Sequence, residues 1–264
     1  LLRLDLLVEA RRWPYAEYLF RHALIQEAAY RTTASQQRLD LHRRAAEWLE
    51  QRHADNPDEV MSRLAYHWNS AGQEEKAIPA LARAGDLARR DHALDEAVEH
   101  YRELLPLLER RGDRQAMALV LFKLAHALHQ SLRFGESNDV YQRAFDLWEY
   151  QPSPEATETL RFRASPLHNV PDPVRSYMLT DIQVQMALFD RLIERWPNDT
   201  LVPSLAERWD IATDGLRYVF HLRPDLRWSD GVPLTAHDVE FGIKRNLDPE
   251  RPGVSVAMFY VIEG

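Results

Sequence analysis

Few side chains in this sequence have a spacing suited to chemistry. His126 and His129 lie three residues apart and could hold a metal from one face of a helix, but no further ligand is near them in sequence. A solvated or core-edge pair is therefore the favoured interpretation. Asp230 and Asp238 could act as paired carboxylates, yet turn formation and helix capping account for both.

The sequence offers no nucleophile, base and orienting group in a recognisable constellation, so it predicts no enzymatic activity, no metal site and no cofactor. Trp209 and Trp228 could stack on a ligand. An aromatic side chain beside a strand turn is more often part of the core, and core positions are predicted for both.

The elements that must position these residues follow from local patterns. Residues 216–223 alternate apolar and polar side chains with the period of a half-buried strand. Asp214-Gly215 before them can supply the positive φ angles of a tight turn, which predicts a β-hairpin with residues 208–211 as its first strand. Ser229-Asp230-Gly231 predicts a second turn.

A helix is predicted to follow that second turn. Thr235 and Asp238 have the spacing of a capping box, in which each residue satisfies an amide group at the helix start. Val239, Ile243 and Leu247 then lie on one face of the helix.

Taken together, these patterns resemble the N-terminal lobe of the family 5 extracytoplasmic solute-binding proteins, which serve oligopeptide, dipeptide and nickel ABC importers. The resemblance covers residues 158–264 and is specific because several independent motifs occur in the order found in that family. They are a strand at 158–164, a helix at 181–194, the segment 201–209, the hairpin at 214–223, the Trp-Ser-Asp-Gly segment at 228–239, and Asn-Leu-Asp-Pro at 246–249.

Such proteins close two lobes over a ligand, so the resemblance implies that this chain carries the start of the first lobe and that a complete ligand site needs a second lobe. The implied ligand is a peptide or another small solute. The implied ligand-binding residues are Ser165, Asn169 and Tyr177. Residues 166–173 depart from the Leu-Asp-Pro that the family usually has after its first strand.

Upstream, residues 15–148 have apolar side chains at helical spacing almost throughout. The short breaks between the helices suit antiparallel neighbours. The predicted helices are 20–30, 36–52, 58–71, 75–90, 94–110, 114–130 and 134–150.

The helical region contains an internal repeat. Residues 95–101 and 136–141 have equivalent patterns, and Ala97 and Ser137 are 40 residues apart. The pattern resembles a divergent tetratricopeptide repeat, whose stack offers a concave face to a protein partner. The aromatic residues of these helices are predicted to fill the interior of the stack, with a partner contact on the concave face as the alternative: Tyr101, Tyr141, Phe145 and Trp148.

Residues 18–30 resemble the segment that follows the nucleotide-binding core in large regulatory ATPases bearing such repeats. The resemblance implies an ATPase domain before Leu1 in a parent protein. The chain itself has no Gly-x-x-x-x-Gly-Lys-Ser/Thr loop, so ATP binding by this chain is not predicted.

Composition narrows the function further. The formal net charge of −8 argues against nucleic acid as a partner, because phosphate binding needs a basic face. There is no cysteine, which excludes disulfides and thiolate chemistry. No membrane span or secretory signal is recognised. The expected location is cytoplasmic, or extracytoplasmic if a signal peptide outside this sequence directs export.

The sequence thus predicts an α+β protein of two domains, joined near Pro152. Residues 1–151 are an all-α, tetratricopeptide-like repeat domain, and residues 152–264 are part of an α/β lobe of the periplasmic binding-protein type. Three functions remain open: a regulator that couples solute binding to the repeat array, the substrate-binding component of a peptide ABC transporter, and a repeat scaffold with a vestigial binding lobe.

Overall fold

The structure is a computed structural model that describes residues 6–11, 17–149, 172–175, 179–196 and 199–262. Its contacts divide the chain into two compact units, Leu1–Arg110 and Arg111–Gly264. The described residues are mostly helical with three small two-stranded sheets, in agreement with an α+β class. The predicted domain boundary between residues 151 and 152 lies outside the described residues and stays a prediction.

The first unit opens with a β-hairpin that the sequence patterns did not predict. Strands β1 (Leu7–Arg11) and β2 (Glu17–Phe20) pair antiparallel, with Leu7 opposite Phe20. The helix predicted to start at residue 20 begins instead at Ala23. Three consecutive residues with large apolar side chains, at positions 18–20, favour a strand here, although they also fit a helical period.

Five helices follow in this unit: α1 (Ala23–Thr32), α2 (Ser35–Arg52), α3 (Met61–Ser70), α4 (Glu74–Arg90) and α5 (Leu94–Arg111). The predicted start of the third helix is wrong by three residues, because Pro57–Val60 forms a 3-10 turn before α3. Proline fits the first turn of such a helix since it has no amide hydrogen to leave unpaired.

The second unit contains α6 (Arg114–Gln130), α7 (Phe134–Leu147), α8 (Leu179–Leu188), β3 (Ile193–Arg195), β4 (Leu201–Pro203), β5 (Ala206–Ile211), β6 (Tyr218–Leu222) and α9 (Ala236–Asn246). Helix α6 has the predicted bounds. The helix predicted over 181–194 is too long, because its last residues form β3 and pair with β4. Two β-branched or apolar side chains near residue 193 suit that short strand better than a helix end.

The two helical hairpins α4–α5 and α6–α7 repeat the same backbone plan at a spacing of 40 residues. The turns correspond in detail, since His92 and Leu132 both have φ of 61°. The amide of Ala93 donates to the carbonyl of Ala88 at 2.8 Å, and the amide of Arg133 donates to that of Leu128 at 2.9 Å. These bonds close each helix with a Schellman-type cap.

Close packing within each hairpin depends on small residues. A Cβ placed on Gly85 of α4 would lie 2.5 Å from the ring of Tyr101 in α5. The Tyr101 hydroxyl donates to Asp86 at 2.8 Å. In the second hairpin, the Ser137 hydroxyl donates to the carbonyl of Ala125 at 2.8 Å, and Tyr141 is buried. Burial raises the pKa of both tyrosines well above its ordinary value.

None of the helices in the described ranges is both long and apolar enough to cross a membrane.

Candidate functional site

The residues proposed for ligand binding, Ser165, Asn169 and Tyr177, lie outside the described residues. The same holds for the predicted strand at 158–164. These assignments stay predictions, and the site is built here from the neighbouring elements of the second unit that the structure does describe.

The β5–β6 hairpin has the predicted architecture. Trp209 pairs with Phe220 and Ile211 with Tyr218 in an antiparallel register. Gly215 has φ of +71°, which a residue with a side chain rarely adopts, and the Asp214 carboxylate accepts a hydrogen bond from the next amide but one at 2.9 Å. The Asp-Gly pair therefore forms the turn as predicted.

The second predicted turn also forms. The amide of Trp228 donates to the carbonyl of Val232 at 2.8 Å, and the amide of Val232 donates to the Asp230 carboxylate at 3.0 Å. Gly231 has φ of +88°. Asp230 is thus occupied as a turn former, which explains its presence without a catalytic role.

Asp238 forms the capping box of α9. Its carboxylate accepts from the amide of Thr235 at 2.7 Å and from the Thr235 hydroxyl at 2.9 Å. Hydrogen bonds from Thr235 hold the pKa of Asp238 below its usual value. The carboxylate is therefore held ionised at the helix start, where the helix dipole favours negative charge.

Trp209 is at the centre of an aromatic cluster. Its side chain is 2% exposed, which confirms the predicted core position. Its ring centroid lies 4.7 Å from that of Phe145, 4.9 Å from that of Tyr141 and 6.5 Å from that of Phe122. The contacts with Phe145 and Tyr141 are edge-on and that with Phe122 is stacked, and such arrangements stabilise beyond simple burial. The interior predicted for Tyr141 and Phe145 therefore includes a residue of the β-hairpin as well as helical neighbours.

The core position predicted for Trp228 is wrong, because its side chain is 43% exposed. The turn that carries Trp228 is held mainly by its own backbone bonds and by an isolated bridge between Arg227 and Pro233. Within the described residues, that short turn has too little apolar surface against it to bury an indole.

Two amide side chains of α7 bind the outer backbone edge of β5. Asn138 accepts a hydrogen bond from the amide of Ile211 at 2.8 Å, and Gln142 donates to the carbonyl of Trp209 at 2.9 Å and to Asp210 at 3.0 Å. Gln142 also accepts from Arg208 at 3.0 Å. We call Asn138 and Gln142 the amide clamp. It satisfies groups on an edge strand that would otherwise need another strand or water.

The tip of the hairpin sits against the turn between α6 and α7. A side chain at Gly215 would overlap the ring of Phe134. The His129 ring packs edge-on to Phe134 with centroids 5.1 Å apart, and its Nε2 lies 3.4 Å from the Tyr218 hydroxyl. Burial lowers the pKa of His129. The close approach at Gly215 means that glycine is required there for packing as well as for turn geometry.

No group of three or more His, Cys, Asp or Glu residues able to hold a metal occurs in the part of the chain that the structure describes. His129 is instead a packing residue at the hairpin tip. That placement agrees with the core-edge interpretation of the His126 and His129 pair.

A polar cleft of ≈ 270 Å³ lies beside the aromatic cluster. Arg223 extends along it and donates to the carbonyl of Ser204 at 2.6 Å. The cleft combines acidic, basic and aromatic side chains, a mixture suited to a polar organic molecule with both charges. Its lining residues are Phe145, Asp146, Trp148, Glu207, Arg208 and Arg223.

The other strand of the hairpin presents apolar side chains to solvent. Tyr218, Val219 and Phe220 are 41%, 44% and 39% exposed, and on α9 Phe241 is 68% exposed. In the described residues β6 pairs with β5 alone. Exposed apolar side chains along an unpaired strand edge are a typical site of association with another strand or chain.

Residues 200–263 match the family described as "Bacterial extracellular solute-binding proteins, family 5 Middle". The matched segment contains β4, the β5–β6 hairpin, the second turn and α9, so the similarity falls on the elements that contact the aromatic cluster and the amide clamp.

Similar proteins include a probable deoxycholate-binding periplasmic protein, YgiS, of Escherichia coli K12, with 43% identity over 30% of this chain and 15% of that protein. The dipeptide-binding protein DppE of Bacillus subtilis is 40% identical over 24% of this chain and 11% of its own length. The periplasmic oligopeptide-binding protein OppA of Haemophilus influenzae is 36% identical over 30% of this chain and 14% of its own.

The chain thus spans only 11% to 15% of the length of these curated relatives. No solved structure matches it significantly.

The amide clamp was missed by sequence reasoning, although a signal for it exists. At the 40-residue spacing of the repeat, Asn138 and Gln142 correspond to Val98 and Arg102. The first copy of the repeat has an apolar and a charged residue at these positions, whereas the second copy has two amides on one helix face. Two amides so placed indicate a specific polar contact.

Proposed function

We propose that this chain contributes to the binding of a peptide-type organic solute. The observation that carries the proposal is the family 5 similarity over residues 200–263, which falls on a hairpin, a turn and a helix with the predicted local geometry. Several similar proteins are named for peptide binding, which supports peptides as the first ligands to test.

Ser165, Asn169 and Tyr177 are the proposed ligand contacts of this chain. Serine and asparagine can each form hydrogen bonds with a peptide backbone, and tyrosine offers an aromatic face with a polar tip. The remaining contacts would come from a second lobe. Binding, not catalysis, is the proposed activity.

Calorimetric titration with di- to pentapeptides tests this proposal, using this chain and the natural gene product that contains it. We expect binding by the gene product and weaker or no binding by the chain alone. Asn169→Ala and Tyr177→Ala in the gene product should weaken binding about two- to tenfold each, the usual effect of one lost hydrogen bond. Tyr18→Ala, which changes an exposed tyrosine of the first unit, is the matched control. Absence of binding by both proteins would refute the proposal.

The way in which binding is used has two candidates. The amide clamp and the aromatic cluster join a helical hairpin to the solute-binding segment, which favours a regulator in which a tetratricopeptide-like array, with a protein partner on its concave face, responds to ligand. The relatives named as periplasmic binding proteins favour the substrate-binding component of a peptide ABC transporter equally well.

Cell fractionation of the native producer distinguishes these candidates. A gene product found outside the cytoplasmic membrane supports the transporter component. A cytoplasmic gene product that gains or loses a protein partner when peptide is added supports the regulator. A cytoplasmic gene product whose partners do not respond to peptide would support the scaffold interpretation.

A further inference from the structure

A pair of histidines in the first unit lies outside the solute-binding segment. His42 of α2 and His67 of α3 face each other with their Nδ1 atoms 2.9 Å apart. The Nε2 atom of His42 lies 3.1 Å from the hydroxyl of Tyr30 in α1. Three helices therefore meet through one chain of hydrogen bonds. His42 is 7% exposed, and both hydrogen bonds are partly buried.

The geometry of the pair fixes its proton count. A hydrogen bond between two Nδ1 atoms needs one proton on one nitrogen and a lone pair on the other. With His42 as the donor, its Nε2 accepts from Tyr30. With His67 as the donor, the Nε2 of His42 donates to Tyr30. When both imidazoles are protonated, each Nδ1 atom carries a proton and each ring is positive, so the hydrogen bond becomes a contact between two donors with like charge.

We propose that His42 and His67 form a pH-operated latch, which holds α1, α2 and α3 together at neutral pH and loosens their packing when both imidazoles are protonated.

The surroundings of the pair add to this effect. Burial is the main factor that lowers the pKa of His42 and of His67. Arg38 on α2 lowers the pKa of His42 further, and Arg63 on α3 and His42 itself lower that of His67. Tyr30 and Tyr66 complete the cluster as neutral rings, with the ring centroid of Tyr66 5.4 Å from that of His42. No carboxylate contributes to either histidine's shift in pKa, so a second positive charge gains no compensation there.

The sign of the pH dependence follows from linkage. The folded state binds fewer protons than the unfolded state between the lowered pKa values and the ordinary value of 6.5. The contribution of the two histidines to the stability of the three helices is therefore fully present above pH 6.5 and is lost as the pH falls below 6.5. Between pH 7.5 and 5.5 the opening equilibrium should rise about tenfold if folding excludes one proton and about a hundredfold if it excludes both.

Local hydrogen exchange measured by mass spectrometry tests the latch in the full chain. Peptides from α1, α2 and α3 are compared at pH 7.5 and 5.5 after correction for the intrinsic exchange rate. We expect the tenfold to hundredfold rise in the wild type. In His67→Gln, which keeps a hydrogen-bonding partner for His42 but cannot take a charge, folding can exclude at most the one proton of His42, so the rise should be smaller than in the wild type and should not exceed about tenfold. His237→Gln, at a site with a 93% exposed side chain in the other unit, should leave the wild-type rise unchanged.

An equal pH response in the wild type and in His67→Gln would overturn the proposal. Should that variant fail to fold, NMR titration of the wild-type imidazoles decides the question. Two coupled steps, the second below 6.5, support the latch. Independent titration of both rings at 6.5 contradicts it.

Discussion

The two helical hairpins α4–α5 and α6–α7 share one backbone plan, yet the second hairpin alone carries the side chains that bind the β-hairpin within its own unit. At five equivalent positions the first hairpin has a small, aliphatic or charged residue where the second has an aromatic or amide residue. The pairs are Ala82 and Phe122, Val98 and Asn138, Arg102 and Gln142, Leu105 and Phe145, and Leu108 and Trp148.

This comparison separates what forms the helical hairpin from what determines its contact. The bounds of the first helix, the start of the second helix, the turn conformation and the capping bonds of the turn are the same in both copies, so they belong to the repeat; α5 continues four residues further than α7. The aromatic cluster and the amide clamp belong to the second copy and depend on a few side chains. Substitutions in these side chains should therefore weaken the contact with β5 while α6 and α7 still form. The predictions below test this expectation.

The largest effect is expected for Trp209→Ala. Removal of this buried indole leaves a cavity between Tyr141 and Phe145 and should reduce the free energy of unfolding of the second unit by about 3–5 kcal/mol. Urea denaturation followed by far-UV circular dichroism gives the size of the change. Hydrogen exchange should show lost protection in β5, β6, α6 and α7 and unchanged protection in α4.

Trp228→Ala is the matched control, because it removes the same side chain from an exposed site. Its cost should stay near or below about 0.5 kcal/mol. Equal effects of the two substitutions would show that Trp209 does not hold the hairpin in place.

A smaller effect is expected when the amide clamp is converted to the residues of the first hairpin. In Asn138→Val with Gln142→Arg, the amide of Ile211 and the carbonyl of Trp209 lose their partners. Because these groups are only partly buried, the total cost should be about 1–3 kcal/mol, measured by the same denaturation experiment.

Arg143→Ala, at the exposed position next to the clamp, serves as the control and should change stability by less than about 0.5 kcal/mol. An unchanged urea midpoint in the double variant would mean that water replaces both amide side chains at no cost in stability. The contact with β5 would then depend on the aromatic residues alone.

Gly85→Ala tests the packing of the first hairpin, where the equivalent residue of the second is Ala125. The new Cβ would lie 2.5 Å from the buried Tyr101 ring. Overpacking costs about 1–3 kcal/mol, and alanine returns about 1 kcal/mol through its helix propensity, so a net loss of up to about 2 kcal/mol is expected. A stabilised Gly85→Ala protein, seen as a higher melting temperature, would show that Tyr101 can move aside.

Much of this arrangement follows from sequence patterns. The 3.6-residue period and the short breaks predicted α4, α5 and α6 within one residue at each end, because strong amphipathic patterns and capped turns specify helices locally. The Asp-Gly hairpin, the Ser-Asp-Gly turn and the Thr235 capping box were predicted for the same reason, since each depends on a few neighbouring residues.

The failures arise where distant contacts decide the outcome. The strand at 193–195 forms because residues 201–203 pair with it, and the preceding sequence contains no sign of that pairing. The burial of Trp209 and the exposure of Trp228 are set by whether a helix packs over each strand or turn. The local sequence patterns predict a core position for both tryptophans. In the described residues, however, α7 packs over Trp209 and leaves Trp228 exposed.

The smallest effect is expected from pH at the hairpin tip, where His129 corresponds to Arg89 of the first hairpin. Burial lowers the pKa of His129 below its unfolded value of 6.5, so the folded second unit binds fewer protons than the unfolded chain just below that pH. Its stability should be complete above pH 6.5 and fall on acidification, with an unfolding equilibrium that rises at most about tenfold per pH unit. His129→Gln should remove this slope in β5 and β6, as measured by local hydrogen exchange between pH 7.5 and 5.5. A slope that survives the substitution would assign the pH response to other groups, and the contact of His129 with Tyr218 would then be packing without electrostatic consequence.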